Sequence, residues 1–156
     1  MEKEISRRSF LKVGTTAALG LAVAPSMLMG RSKKKDAVPK PLDRKLKILG
    51  VGVGGRGASV LKELETEEII GLCDVDWKYA AHVFERYPNA KRYNDYKVMY
   101  AELLDEADAV VVATADHTHA IIAAEAIVAG KHVYVEKPLT HTVYESRLLT
   151  KLAAKH

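Results

Sequence analysis

Sixteen residues, LKILGVGVGGRGASVL (46–61), restrict the fold more than any other stretch of this chain. An apolar run that reads as a strand meets a cluster of glycines, and a helix-like pattern follows at once. The spacing G-x-G-x-x-G occurs twice, as Gly50, Gly52, Gly55 and as Gly52, Gly54, Gly57. Only one register can be the tight strand-to-helix turn. If Gly50 opens it, the strand shrinks to residues 46–49 and Gly57 stands inside the helix, at a cost of about 1 kcal/mol relative to alanine. If Gly52 opens it, the strand keeps residues 46–51, Gly54 lets the backbone approach a pyrophosphate, and Gly57 lets the helix pack closely on the strand. The second register is the consistent one, and Gly50 becomes a small strand residue beneath the helix. Peptide N–H groups around Gly54, Gly55, Arg56 and Gly57 then point at phosphates from a helix N-terminus, where the aligned dipoles attract anions, and Gly52 and Val53 complete the expected cofactor-binding turn.

Beyond this turn, short apolar runs alternate with helix-like segments, the pattern of a parallel α/β sheet. Strands are expected at 46–51, 69–73, 91–93, 109–113 and 132–135. Helices are expected at 58–66, about 77–87, 95–106 and 118–129, and a last one opens at Thr142. Pro88 stops the second helix and Asn94 caps the third. Gly130 supplies a left-handed end for the fourth, and Thr142 with Glu145 has the spacing of a capping box. The order is that of a doubly wound nucleotide-binding domain, the Rossmann fold. Such a site needs an acid after the second strand to accept hydrogen bonds from the adenine ribose, and Asp74 stands 22 residues beyond Gly52. A carboxylate there favours NAD and disfavours NADP, whose 2′-phosphate meets its charge, although Arg56 would partly offset that repulsion. Asp76, directly before Trp77, suits helix capping better than Asp74 does.

At 156 residues, 48% apolar and 28% charged, the chain has room for one modest core. Its net charge of +4 is unevenly placed: residues 1–45 carry 11 Lys or Arg against 4 acids, and residues 46–156 carry 13 against 16. The folding part is mildly acidic, which removes the nucleic-acid reading. One cysteine, Cys73, excludes an internal disulfide and a multi-cysteine metal site, and within IIGLC it reads as a small buried core residue. At the N-terminus, Ser6, Arg7, Arg8, Ser9, Phe10, Leu11 and Lys12 closely resemble the bacterial twin-arginine export signal. The apolar run 13–29 is near the lower limit for a membrane span and is diluted by Gly, Thr, Ser and Pro25, so a removed signal is expected and no stable span. The expected organisation is a signal at 1–30, a basic Pro-containing linker at 31–45 and the Rossmann domain at 46–156, exported or periplasmic.

The stretch VVVATADHTHAIIAAEAIVAGKHVYVEKPLTHT carries more specificity. Together with GVGVGGRG and LCDVD it resembles the N-terminal NAD(P)-binding domain of the Gfo/Idh/MocA oxidoreductases, and E-K-P after the fifth strand is the most telling motif. The resemblance covers the chain from Leu46 to its end. It implies that the loop after the fourth strand, with Thr114, Ala115, Asp116 and His119, lies along the cofactor. Glu136 and Lys137 are implied to sit near the nicotinamide ribose and the reacting carbon. The implied substrates are sugars or cyclitols, oxidised at a CH–OH group. Some exported relatives are instead NAD-dependent glycoside hydrolases, which oxidise a sugar hydroxyl transiently and reduce the ring again.

Lys137 is the residue suited to chemistry, because an ammonium can hold a substrate hydroxyl and stabilise the alkoxide that precedes hydride transfer. Apart from the resemblance, an ion pair with Glu136 is its simpler reading. Asp116, His117 and His119 crowd three metal-capable side chains together, but no further ligand cluster accompanies them, so no metal is expected. His132 reads as a packed strand residue. Two departures from the family stand out. Ala115 follows Thr114 where the family commonly has proline, which leaves the loop less rigid. The family's sixth strand, and the second α+β domain that supplies the substrate pocket and an Asp/His acid–base pair, do not precede His156. The expectation is therefore a partial chain that does not turn over alone. The non-enzymatic alternative is a nucleotide-binding or interaction module that assembles, with its own copy or another chain, through the open sheet edge.

Overall fold

Strands and helices alternate along residues 43–156, the part described by the computed structural model. They are β1 (Lys47–Val51), α1 (Arg56–Glu63), β2 (Glu68–Cys73), α2 (Ala81–Arg86), β3 (Lys91–Tyr93), α3 (Tyr96–Leu103), β4 (Ala109–Val112), α4 (Asp116–Val128), β5 (His132–Val135) and α5 (Val143–Lys155). All pairings are parallel, in the order β3-β2-β1-β4-β5. This is the doubly wound sheet expected from the alternating pattern. The twin-arginine segment and the linker as far as residue 42 lie outside the described residues. Among the described residues, no helix is long and apolar enough to cross a membrane.

The apolar strands β1 and β4 lie in the middle because helices cover both faces there. On one face Val60, Leu61, Val83 and Phe84 pack on Ile48, Leu72 and Val111. On the other, Met99, Tyr100, Leu103, Ile122 and Ala126 pack on Leu49, Val51, Val110 and Val112. Gly130 takes φ +74° at the end of α4. The capping box before α5 is formed, with the Glu145 N–H donating to Thr142 Oγ1 and the Thr142 N–H to Glu145 Oε2.

Three expectations need correction. The second helix starts at Ala81 and not near Trp77, because Asp76 organises a turn first: its Oδ1 accepts from the Tyr79 N–H at 2.9 Å and its carbonyl from the Ala80 N–H at 2.9 Å. Asp95, not Asn94, caps α3, accepting from the Lys97 N–H at 2.8 Å. His132 is exposed, since β5 is the last strand of the sheet and its alternate side chains lack a covering helix.

The end of the expected linker is tied to the sheet. Arg44 makes a paired contact with Asp108 at 2.6 and 2.7 Å, and the Lys47 N–H donates to the same carboxylate at 2.8 Å. These donors hold the Asp108 carboxyl well below the usual carboxylate range. A depressed folded pKa means that this contribution is complete above the unfolded value, near ~4, and fades as pH falls through the folded one. Asp108→Asn is therefore expected to lower stability at pH 7 by about 1 kcal/mol, discounted for solvent screening, with the difference shrinking toward pH ~2. Urea midpoints across that range test this, and a pH-independent difference would remove Asp108 from the acid limb.

Candidate functional site

The carboxyl ends of β1, β2 and β4 border a cleft of about 930 Å³. It lies where the strand order reverses about β1, the position at which doubly wound sheets bind ligands. The turn after β1 forms its floor. Gly52 has φ +77°, and a Cβ there would stand 2.6 Å from the Thr114 backbone nitrogen, so only glycine fits. On Gly57 a Cβ would come within 2.3 Å of the Gly52 carbonyl oxygen, which means that α1 rests directly on the turn. Gly50 lies under α1, where a Cβ would meet Val53 and Leu61 side chains at 2.9 and 3.2 Å. The turn is thus built in the register that opens at Gly52.

Gly54 serves a purpose the spacing did not disclose. It is buried, and a Cβ would lie 2.6 Å from the Tyr79 ring and 3.2 Å from the Ala80 backbone, so its missing side chain admits the turn before α2. Its N–H donates to Asp74 Oδ2 at 2.8 Å, and the Asp76 N–H donates to Asp74 Oδ1 at 3.0 Å. Asp74 therefore braces the glycine turn while lining the cleft. No side chain caps α1 at Gly55. Its first-turn amides keep their attraction for an anion.

The cleft walls suit a flat apolar ring. Val75, Val98 and Ile121 line them although 89%, 48% and 55% exposed, so a bound base would cover apolar surface now in water. Asp74 and Asp95 contribute carboxylates, and no Lys or Arg is among the described lining residues. Cys73, at the base, is buried, and desolvation pushes its thiol up to about 12. It is a packed thiol, as the apolar run around it implied.

A second group gathers at the end of β5. Glu136 is buried and accepts from Arg56 Nε at 3.0 Å, the Tyr134 hydroxyl at 3.1 Å and the Lys137 N–H at 3.2 Å. The Arg56 guanidinium leads in holding the Glu136 carboxyl below its ordinary range. Two expectations fall with this pairing. Arg56 does not offset the charge of Asp74, because it is committed to the β5 side. Lys137 does not pair with Glu136 through its side chain; it is exposed and makes no ion pair among the described residues.

Behind the cleft, His119 is buried and joins the two loops, with Nδ1 2.8 Å from the Pro138 carbonyl oxygen and Nε2 3.0 Å from that of Thr114. Its ring thus acts on the site by tying the loop after β4 to the one that carries Lys137. Thr114 and Ala115 line the cleft, and Asp116 is exposed at the start of α4. Ala115 takes φ −68°, the angle proline would impose, so the backbone keeps that path without the ring. Of the expected site residues, Gly52, Gly55, Asp74, Thr114 and Ala115 share the cleft, and Val53, Gly54 and Gly57 build the turn. Arg56, Glu136 and Lys137 form the neighbouring group. Sequence reasoning missed Tyr79, which lines the cleft across from Gly55.

Comparisons with known proteins agree with this fold. Residues 45–156 match the oxidoreductase family GFO_IDH_MocA, NAD-binding Rossmann fold. An alpha-N-acetylgalactosaminidase of Shewanella oneidensis is 31% identical over 163 residues, covering 90% of this chain and 35% of that protein. The solved WlbA dehydrogenase of Chromobacterium violaceum, in complex with NADH and UDP-GlcNAcA, is 29% identical with a TM-score of 0.64, over 77% of this chain and 35% of that one. GenD2 from gentamicin A biosynthesis, in complex with NAD, is 30% identical with a TM-score of 0.63, over 74% and 33%. The chain spans about a third of the length of these relatives. With its glycine turn, cleft and E-K-P segment in that order along the sheet, the chain belongs to the Gfo/Idh/MocA oxidoreductase family and carries its NAD-binding Rossmann fold.

Proposed function

We propose that this chain is the NAD-holding domain of an exported oxidoreductase acting on CH–OH groups of sugars or cyclitols. The observation that carries the reading is the glycine turn braced by Asp74 at the floor of an apolar cleft. The Gly52 and Gly54 N–H groups are donated to the Cys73 carbonyl and to Asp74, so the amides at the start of α1 take the pyrophosphate, and Asp74 takes the adenine ribose. NAD is favoured over NADP because Asp74 and Asp95 face the cleft while Arg56 is paired with Glu136. NAD supplies the hydride acceptor. Lys137 binds the substrate hydroxyl and steadies its oxygen while the proton passes to the acid–base pair that the family carries in its second domain, and Glu136 holds the start of that loop through the Lys137 N–H. The heptad at residues 6–12 supports export by the twin-arginine machinery, which moves proteins already folded.

A second reading concerns the chemistry that follows oxidation. Glycosyl hydrolase family 109 proteins of Shewanella are 31% identical over as much as 97% of this chain, which favours an NAD-dependent glycoside hydrolase. Release of nitrophenol from aryl glycosides without net NADH separates it from a dehydrogenase.

Isothermal titration tests the cofactor. NAD is expected to bind the chain, and NADP at least about tenfold more weakly because its 2′-phosphate meets two carboxylates. Absence of heat at millimolar NAD, or a preference for NADP, would overturn the reading.

A further inference from the structure

The cleft must accept a doubly charged pyrophosphate with no Lys or Arg among its described lining residues and one imidazole, that of His117. Neutral donors therefore have to meet much of that charge. Amides at the start of α1 are one set. Tyr79 stands opposite them. A Cβ on Gly54 would lie 2.6 Å from Tyr79 Cδ1, and one on Gly55 would lie 3.5 Å from Cε1 and 3.3 Å from Oη. One edge of the ring thus runs along both glycines, and the hydroxyl ends over Gly55, immediately before α1.

The ring is held there from both ends. Its backbone N–H donates to Asp76 Oδ1 at 2.9 Å, which sets the turn before α2, and the bare face of Gly54 receives the ring carbons. Yet Tyr79 is 62% exposed, and among the described residues its hydroxyl has no hydrogen-bond partner. A packed phenylalanine would satisfy the ring contacts equally well. What the phenol adds is one O–H donor beside Gly55, where α1 begins.

We propose that Tyr79 is a further dinucleotide-binding residue whose Oη donates a hydrogen bond to a pyrophosphate oxygen seated at Gly55. The proposal rests on the NAD reading above and goes beyond the glycine turn and Asp74 that define it. The bond to a charged oxygen is of the strong, charge-assisted kind.

The test is calorimetric titration of the full chain and of Tyr79→Phe, which removes only the hydroxyl. The variant is expected to bind NAD about tenfold more weakly, and ADP-ribose by the same factor. Adenosine, which has no phosphate, is expected to bind both proteins alike, and the melting temperature without ligand is expected to stay unchanged because the lost group is exposed. Wild-type affinity for NAD in the variant overturns the proposal. An equal penalty on adenosine, or a lowered melting temperature, overturns it too, by showing that the hydroxyl supports the fold. Wild-type protein that binds no NAD removes the cofactor reading itself, a distinct result from a wild type that binds and a variant that binds equally well.

Discussion

Gly52→Ala is expected to lower stability by about 3 kcal/mol and to abolish NAD binding at millimolar cofactor. Two costs combine. A side chain at positive φ loses about 1–2 kcal/mol. The new Cβ would also stand 2.6 Å from Thr114 N and 2.7 Å from Ala113 C and Thr114 Cα, all backbone atoms where β4 ends. Nothing flexible is there to yield, so the turn must lift away from β4, at about 1–3 kcal/mol for overpacking. The lift moves the floor of the cleft and the first-turn amides of α1 together. Gly130→Ala provides the control, because Gly130 has φ +74° with nothing within 4 Å of its Cβ position. It should cost only the conformational part, about 1 kcal/mol. Urea unfolding of both variants measures the difference, and equal losses would show that the contact with β4 does not constrain Gly52.

These glycines also mark how far the sequence could be read. The register opening at Gly52 followed from strand length and helix propensity, both local properties, and its positive φ agrees. Local signals likewise placed β3, β5, the Gly130 stop and the capping box at Thr142. The start of α2 was misread because Asp76, directly before Trp77, has the residue type and place of a helix cap. Side-chain and carbonyl bonds from Asp76 decide the matter, and propensity does not report them. Confusing Asn94 with Asp95 is the same kind of error, since both are good caps and only backbone geometry chooses.

Contacts between distant residues were the least legible. Asp74 was found from spacing, but its bond to the Gly54 N–H depends on how β1 and β2 lie side by side. Arg56 and Glu136 are 80 residues apart, and they meet because β4 lies between β1 and β5 and brings the E-K-P segment toward the start of α1. The nearest carboxylate in sequence to Lys137 was therefore the wrong partner to assume. Tyr79 escaped notice for a related reason, because its importance lies in what Gly54 lacks.

The pairing of Arg56 with Glu136 gives the largest functional expectation. A buried carboxylate beside a lysine would ordinarily claim that lysine, and an ammonium so claimed is poorly placed to serve a substrate. Here the Glu136 carboxylate is filled by Arg56, Tyr134 and a backbone N–H, which leaves the Lys137 ammonium uncommitted among the described residues. In the complete enzyme proposed above, Lys137→Met should slow hydride transfer about 10³-fold, the scale of losing one positioned acid–base or charge-stabilising group. NAD affinity should change less than about twofold, because Lys137 is not among the residues lining the cleft. Single-turnover absorbance of NADH, read beside the NAD dissociation constant, separates the two quantities. Hydride transfer at the wild-type rate would strip Lys137 of its chemical role. A parallel loss of NAD affinity would instead assign it to cofactor binding. Arg56→Met should mimic part of the defect, because releasing Glu136 gives Lys137 a competing partner one residue away. That variant should slow turnover at saturating substrate while Lys137→Met, already lacking the ammonium, gains no further defect from it.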